Sequence, residues 1–139
     1  MGLIWDSSPL RFESQLREVF SAVRGEQIIE KMLSEIKDFW SGFEIETFRY
    51  QNKCKIIKGW NDIFIRCDED IQNLETLKMS LYFKTFEEQV VQWSTKLQFI
   101  RVVFDVWSDV QRKWVYLESI FNGPSEIKVQ LPQEYERFQ

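Results

Sequence analysis

The sequence predicts a mainly α-helical fold: an elongated multi-helix bundle or rod with one long helix toward its C-terminal end and one small β-hairpin. Three observations carry that expectation. Apolar residues recur at helical spacing over long stretches, one short stretch alternates strictly, and breakers are few, with 5 Gly and 3 Pro in 139 residues. At 44% hydrophobic, with 12 Phe, 6 Trp and 4 Tyr, the chain is too apolar for a disordered segment. Its length suits one domain.

Ser8-Pro9 opens the first helix, because Ser accepts from orphan amides and Pro fits a first turn. Leu16, Val19, Phe20 and Val23 follow at helical spacing through 9–24, and Gly25 interrupts. A second stripe, Ile28, Ile29, Met32, Leu33, Ile36, Phe39 and Trp40, defines 26–41. The two read as separate helices or as one kinked helix, since an internal Gly costs only about 1 kcal/mol relative to Ala. The period then changes. Phe43-Glu44-Ile45-Glu46-Thr47 alternates, and Gln51-Asn52-Lys53 separates it from Cys54–Lys58, giving a hairpin over 43–58. Such a ribbon needs helices on one face.

Trp60, Ile63, Phe64, Cys67, Ile71 and Leu74 predict a helix over 61–78 with Asp68-Glu69-Asp70 outward. Thr85-x-x-Glu88 has capping-box spacing and opens a helix over 85–121. Its stripe runs Phe86, Val90, Trp93, Leu97, Ile100, Phe104, Trp107, then, after one extra step of three, Val110, Trp114, Leu117 and Phe121. That step is a stammer in the heptad rhythm. From Phe86 to Phe121 is 36 residues, about 54 Å of helix, against a radius of gyration of about 14 Å for a compact globule of this size. Asn122-Gly123-Pro124 ends the helix, and Leu131-Pro132 starts another in the tail, 124–139. That tail reads as truncated, and Leu3-Ile4-Trp5 as severed from a neighbour, so 1–139 reads as one segment of a longer polypeptide.

The chemistry is restricted by what is missing. Without histidine there is no Ser–His or Cys–His pair, no imidazole base and no His-ligated metal. Cys54 and Cys67 alone complete neither a four-thiolate zinc site nor an iron–sulfur cluster and read as reduced packing groups. No glycine-rich phosphate cradle occurs. Glu87-Glu88, Asp68-Glu69-Asp70 and Glu134/Glu136 read as solvated helix faces rather than acid–base pairs. Catalytic, cofactor and metal residues are therefore expected to be absent. Eighteen basic against 22 acidic residues leave −4, which argues against nucleic acid and anionic membranes as partners. No membrane-length apolar run and no signal peptide occur, so a cytosolic setting is expected.

Two features remain. Arg49, Lys53, Lys55 and Lys58 place +4 on the hairpin without an acid among them. They read either as a docking patch for an acidic surface or as lysines that block edge-to-edge strand pairing. The expected core is Trp40, Trp60, Phe86, Trp93, Leu97, Ile100, Phe104, Trp107, Trp114 and Phe121, with Trp40 and Trp60 seating the hairpin. A second apolar line on the long helix, Val91, Val102, Val103, Val106, Val115 and Tyr116, calls for further partners.

The segments Phe48-Arg-Tyr-Gln-Asn-Lys-Cys-Lys-Ile-Ile-Lys-Gly-Trp60 and Phe104-Asp-Val-Trp-Ser-Asp-Val-Gln-Arg-Lys-Trp-Val-Tyr-Leu-Glu-Ser-Ile-Phe121 resemble the linker region of dynein heavy chains. Ile4-Trp5-Asp6 and Ile127–Phe138 fit the same region in order, and Tyr50–Cys54 with Gln111–Tyr116 resemble the cytoplasmic form. The resemblance implies a helical mechanical lever across a ring of AAA+ modules, bending and straightening with ATP bound elsewhere. It implies a minus-end-directed microtubule motor as parent, with ATP and Mg in that parent and no cofactor in this segment. It also implies the ring and the remaining linker as partners, microtubules only through the parent, and a cytoplasmic, cytoskeleton-associated location.

Overall fold

The computed structural model describes residues 8–123 and 129–138. Among these, α1 spans Ser8–Ser41, β1 Thr47–Tyr50, β2 Cys54–Ile57, α2 Trp60–Lys78, α3 Glu87–Phe121 and α4 Pro132–Phe138, with a 3-10 turn at Phe83–Thr85 before α3. The fold is mainly α with a two-stranded antiparallel hairpin. The Leu3-Ile4-Trp5 group, Pro124 and the start of the Ile127–Phe138 stretch lie outside the described residues. The chain forms two compact units. One gathers the described residues up to Ile45 with Asn61–Gln98; the other gathers Glu46–Trp60 with those from Phe99 onward.

In the first unit α1 is one continuous helix through Gly25, where either separate helices over 9–24 and 26–41 or one kinked helix were expected. The Tyr82 ring explains the glycine, because a Cβ at Gly25 would overlap Cδ2 and Cε2 of that ring. Gly25 is a packing notch on a helix that tolerates it, not a break. The buried side chains are Ile29, Leu33 and Ile36 on α1, Ile63, Cys67, Leu74 and Leu77 on α2, and Val90 and Leu97 on α3. Leu16, Val19, Phe20 and Val23, read as the first stripe of α1, are exposed. Trp40, expected beneath the hairpin, belongs instead to this unit. It sits 5.4 Å from the Phe43 ring and donates from Nε1 to Asp70 at 2.8 Å. Thr85 is not the cap of α3: its hydroxyl donates to Glu26 at 3.4 Å, and the first turn of α3 closes through Val90 N–H to the Phe86 carbonyl.

In the second unit the ribbon is shorter than 43–58. Phe43 to Glu46 lie outside the strands, although the Glu46 carbonyl accepts from Lys58 N–H. The register pairs Thr47 with Ile57, Phe48 with Ile56, Arg49 with Lys55 and Tyr50 with Cys54. At the tip Lys53 N–H donates to the Tyr50 carbonyl at 3.0 Å, with φ of 48° at Gln51 and 59° at Asn52. Two successive left-handed residues are the signature of a type I′ turn, whose twist matches the strands. Gly59, at φ 78°, turns the chain from β2 into α2.

The face of α3 that is buried in this unit follows the apolar stripe only in part: Phe104 and Phe121 are buried and Trp114 is half-buried. Trp107, Val110 and Leu117 are 45%, 57% and 40% exposed, whereas Ser108 and Glu118 are buried. The buried residues of this face are Phe104, Ser108, Glu118 and Phe121, with Gln111 half-buried between them. The second apolar line is open as well: Val91, Val102, Val103, Val106 and Tyr116 are all exposed.

Candidate functional site

The hairpin is fastened to α3 by aromatic rings and by two polar clamps. Tyr50 meets Trp114 edge-on at 6.0 Å, and Trp60 meets Phe104 at 5.9 Å and Trp107 at 6.2 Å. At the C-terminal end of the unit, Phe138 of α4 stacks on Trp114 at 5.9 Å and lies 5.1 Å from Phe121. Of the ten aromatic and aliphatic positions expected in the core, Leu97, Phe104 and Phe121 are buried, Trp107 is exposed, and Trp40, Trp60, Phe86, Trp93, Ile100 and Trp114 are half-buried.

The first clamp is Glu118. Its side chain is 1% exposed, with Lys53 Nζ 2.6 Å from Oε1 and Asn122 Nδ2 donating to the same oxygen at 2.5 Å. The Gln51 amide, with its nitrogen turned to the carboxylate, reaches both oxygens at 3.1–3.2 Å. A buried carboxylate is costly unless its oxygens are taken up, and three turn and helix-end residues do so here. The positive φ at Gln51 and Asn52 is what turns the tip onto α3. The second clamp is Gln111. Its Oε1 accepts from Ile57 N–H at 2.8 Å and its Nε2 donates to the Ile57 carbonyl at 3.0 Å. The helix side chain thus pairs with β2 as a neighbouring strand would.

The four cations of the hairpin separate accordingly. Lys53 is an internal partner of Glu118 and leaves the proposed patch. Arg49 and Lys55 face each other across the strands, Lys58 follows β2, and all three are exposed. Arg49, Asn52, Lys53, Cys54 and Lys55 line a polar depression of about 310 Å3. Cys54 and Lys55 also border a second depression of about 250 Å3, walled by Ile56, Trp107, Val110 and Trp114. Neither cysteine is in a disulfide; Cys54 is half-buried and Cys67 buried, with Cys67 Sγ donating to the Leu97 carbonyl at 3.6 Å.

Among the described residues no group of three His, Cys, Asp or Glu is placed to hold a metal ion, and no helix is long and apolar enough to cross a membrane. Glu87, Glu88, Asp68 and Glu69 are exposed, as solvated faces are. Asp70 is the exception in that run. It is buried, and accepts from Trp40 Nε1 and from Arg66 Nε at 3.0 Å. Sequence reasoning missed Asp70, Gln111 and Glu118 as structural groups, because only the returning chain buries them.

The fold and these clamps define a helical segment whose hairpin is latched to α3 by polar side chains. The whole chain, residues 1–139, matches the family described as dynein heavy chain, N-terminal region 2. It therefore belongs to the dynein heavy chain family. It is 47% identical over 138 residues to "Dynein heavy chain, cytoplasmic" of Paramecium tetraurelia and 46% identical over 138 residues to "Dynein heavy chain-like protein 1" of Plasmodium falciparum. It is 42% identical over 139 residues to "Dynein heavy chain, cytoplasmic" of Drosophila melanogaster. These alignments cover 99–100% of this chain and 3% of each relative.

Proposed function

We propose that this chain is a segment of the mechanical linker of a cytoplasmic, minus-end-directed microtubule motor. In this reading it bends and straightens across an AAA+ ring as ATP is bound and hydrolysed elsewhere in the same polypeptide. It is not itself an enzyme and holds no cofactor; ATP and Mg belong to the parent motor. Its partners are the ring and the remaining linker, and microtubules are reached only through the parent.

The observation that carries the reading is α3 in a chain of this family: 35 residues without a break, about 52 Å of helix. An unbroken helix conveys an axial load because every turn is hydrogen-bonded to the next, and packed neighbours resist its bending. The reading is tested in the full heavy chain with Val103→Pro, an exposed mid-helix change that removes one backbone donor and costs at least about 3 kcal/mol of helix. Microtubule gliding is expected to slow severalfold while basal ATPase persists. Unchanged gliding velocity with a demonstrably kinked helix overturns the lever.

A further inference from the structure

We propose that the outer side of the hairpin docks an acidic segment of the same heavy chain, one that carries an apolar side chain beside its carboxylates. The inference deepens the lever reading and rests on it, since it names what the moving segment would grip.

The first observation is an unfavourable pair that the fold keeps. Arg49 and Lys55 are directly opposite in the antiparallel register, a placement in which like charges destabilise a ribbon. The chain has 22 acidic residues, yet no ion pair among the described residues uses Arg49, Lys55 or Lys58. By contrast, Lys53 in the same loop is held by Glu118 at 2.6 Å. Among the described residues these three cations therefore have no carboxylate partner, and Arg49 and Lys55 border a depression of about 310 Å3 that Asn52 supplies with a further polar group.

The second observation gives the partner its other half. Lys55 also borders the adjoining slot of about 250 Å3, where Trp107 and Val110 stand 45% and 57% exposed. A guanidinium takes a carboxylate through two parallel donors, an ammonium takes one as a point charge, and the indole wall takes an aliphatic or aromatic side chain. An Asp or Glu next to a Leu, Ile, Val or Phe fits both depressions together. A phosphate backbone fits less well, having no apolar element for the slot and meeting only three cations on a chain of net −4.

The source follows from length. This chain spans 3% of each relative, so nearly all of such a polypeptide lies outside it. Covalent linkage raises the effective concentration of a same-chain partner to the millimolar range, where a contact of a few charge pairs is both occupied and released readily.

The test uses the full-length heavy chain and a zero-length carbodiimide, which joins a lysine amine to a carboxylate only when the two touch. Digestion and mass spectrometry of the band at single-chain mass should show Lys55 or Lys58 amide-linked to an Asp or Glu beyond these 139 residues. A large aliphatic or aromatic residue should lie within a few positions of that acid. In Arg49→Glu the link yield should fall about fivefold, the equivalent of one exposed ion pair. Trp107→Ala should lower the yield too, while Lys31, whose neighbour Glu35 lies on the same helix, reports unchanged reagent efficiency. Unlinked Lys55 and Lys58, links only within these 139 residues, or links only to another chain overturn the proposal. Adding an ATP analogue separates the two claims: a same-chain link whose yield ignores nucleotide keeps the docking site and removes the lever.

Discussion

Among the described residues each compact unit buries one carboxylate, and the two are satisfied differently. Asp70 takes its cation from its own helix, Arg66 one turn earlier, and its reach to another element is the neutral indole of Trp40. Glu118 takes its cation from Lys53, 65 positions away at the tip of the hairpin. Arg66 also stacks over the Phe39 ring of α1 at 4.3 Å. The Glu118 pair exists only when the hairpin has closed onto α3. A local pair costs little entropy to assemble, whereas a distant one reports long-range order. The first unit is therefore expected to lose its buried pair gradually, and the second to lose hairpin and latch together.

Replacing partners one at a time sharpens that contrast. Lys53→Met leaves Glu118 buried with amide donors only. Its cost is about 2 kcal/mol, less than the 3–5 typical of a fully buried pair because Gln51 and Asn122 remain. Hydrogen exchange should show it as loss of protection in 47–57, with α2 unaffected. Trp40→Phe keeps an aromatic ring and removes one donor to a charged group, costing about 1.5 kcal/mol read by denaturant unfolding, with the hairpin amides unchanged. Adding Glu118→Gln to Lys53→Met should recover about 1 kcal/mol, because a neutral amide no longer demands a cation. No recovery in the double variant means that Glu118 is held chiefly by Asn122 and Gln51.

The smallest effect is a pH dependence carried by Glu75 in the first unit. The hydrogen bond from Lys78 Nζ holds the Glu75 carboxyl below its ordinary 4.5, aided by Ser94 and opposed by partial burial. A lowered folded value means that Glu75 contributes stability above pH 4.5, and that this contribution is lost as pH falls through the lowered value. Glu75→Gln should flatten the acid limb of thermal unfolding slightly. An identical acid limb in the variant assigns the dependence elsewhere.

Much of this architecture is legible in the residues. The three-four spacing of Ile63, Cys67 and Leu74 places α2, and the polar Gln51-Asn52-Lys53 between apolar runs places the turn. The errors share a physical origin. Gly25 reads as a break because a sequence does not show Tyr82 lying against it. Thr85 reads as a cap because its partner Glu26 is 59 positions distant. Phe43 to Glu46 alternate as a strand does, yet only a partner strand makes one, and β2 ends too soon to pair with them. In the second half of α3, Phe104 and Phe121 are buried, yet Trp107 and Val110, which outrank Ser108 and Glu118 on any hydrophobic scale, are exposed while those two are buried. Of the four hairpin cations Lys53 is a latch, a distinction that requires the position of Glu118 in space.

Gln111 has a consequence for how this protein keeps to itself. A two-stranded ribbon exposes bare peptide groups on both flanks, a template on which a stray strand from another molecule can grow. At Ile57 both peptide groups are already occupied by one side-chain amide, so a single glutamine caps that flank as a third strand would. Losing it would free the Ile57 amide and carbonyl, and colloidal stability rather than folding would be the first property to suffer.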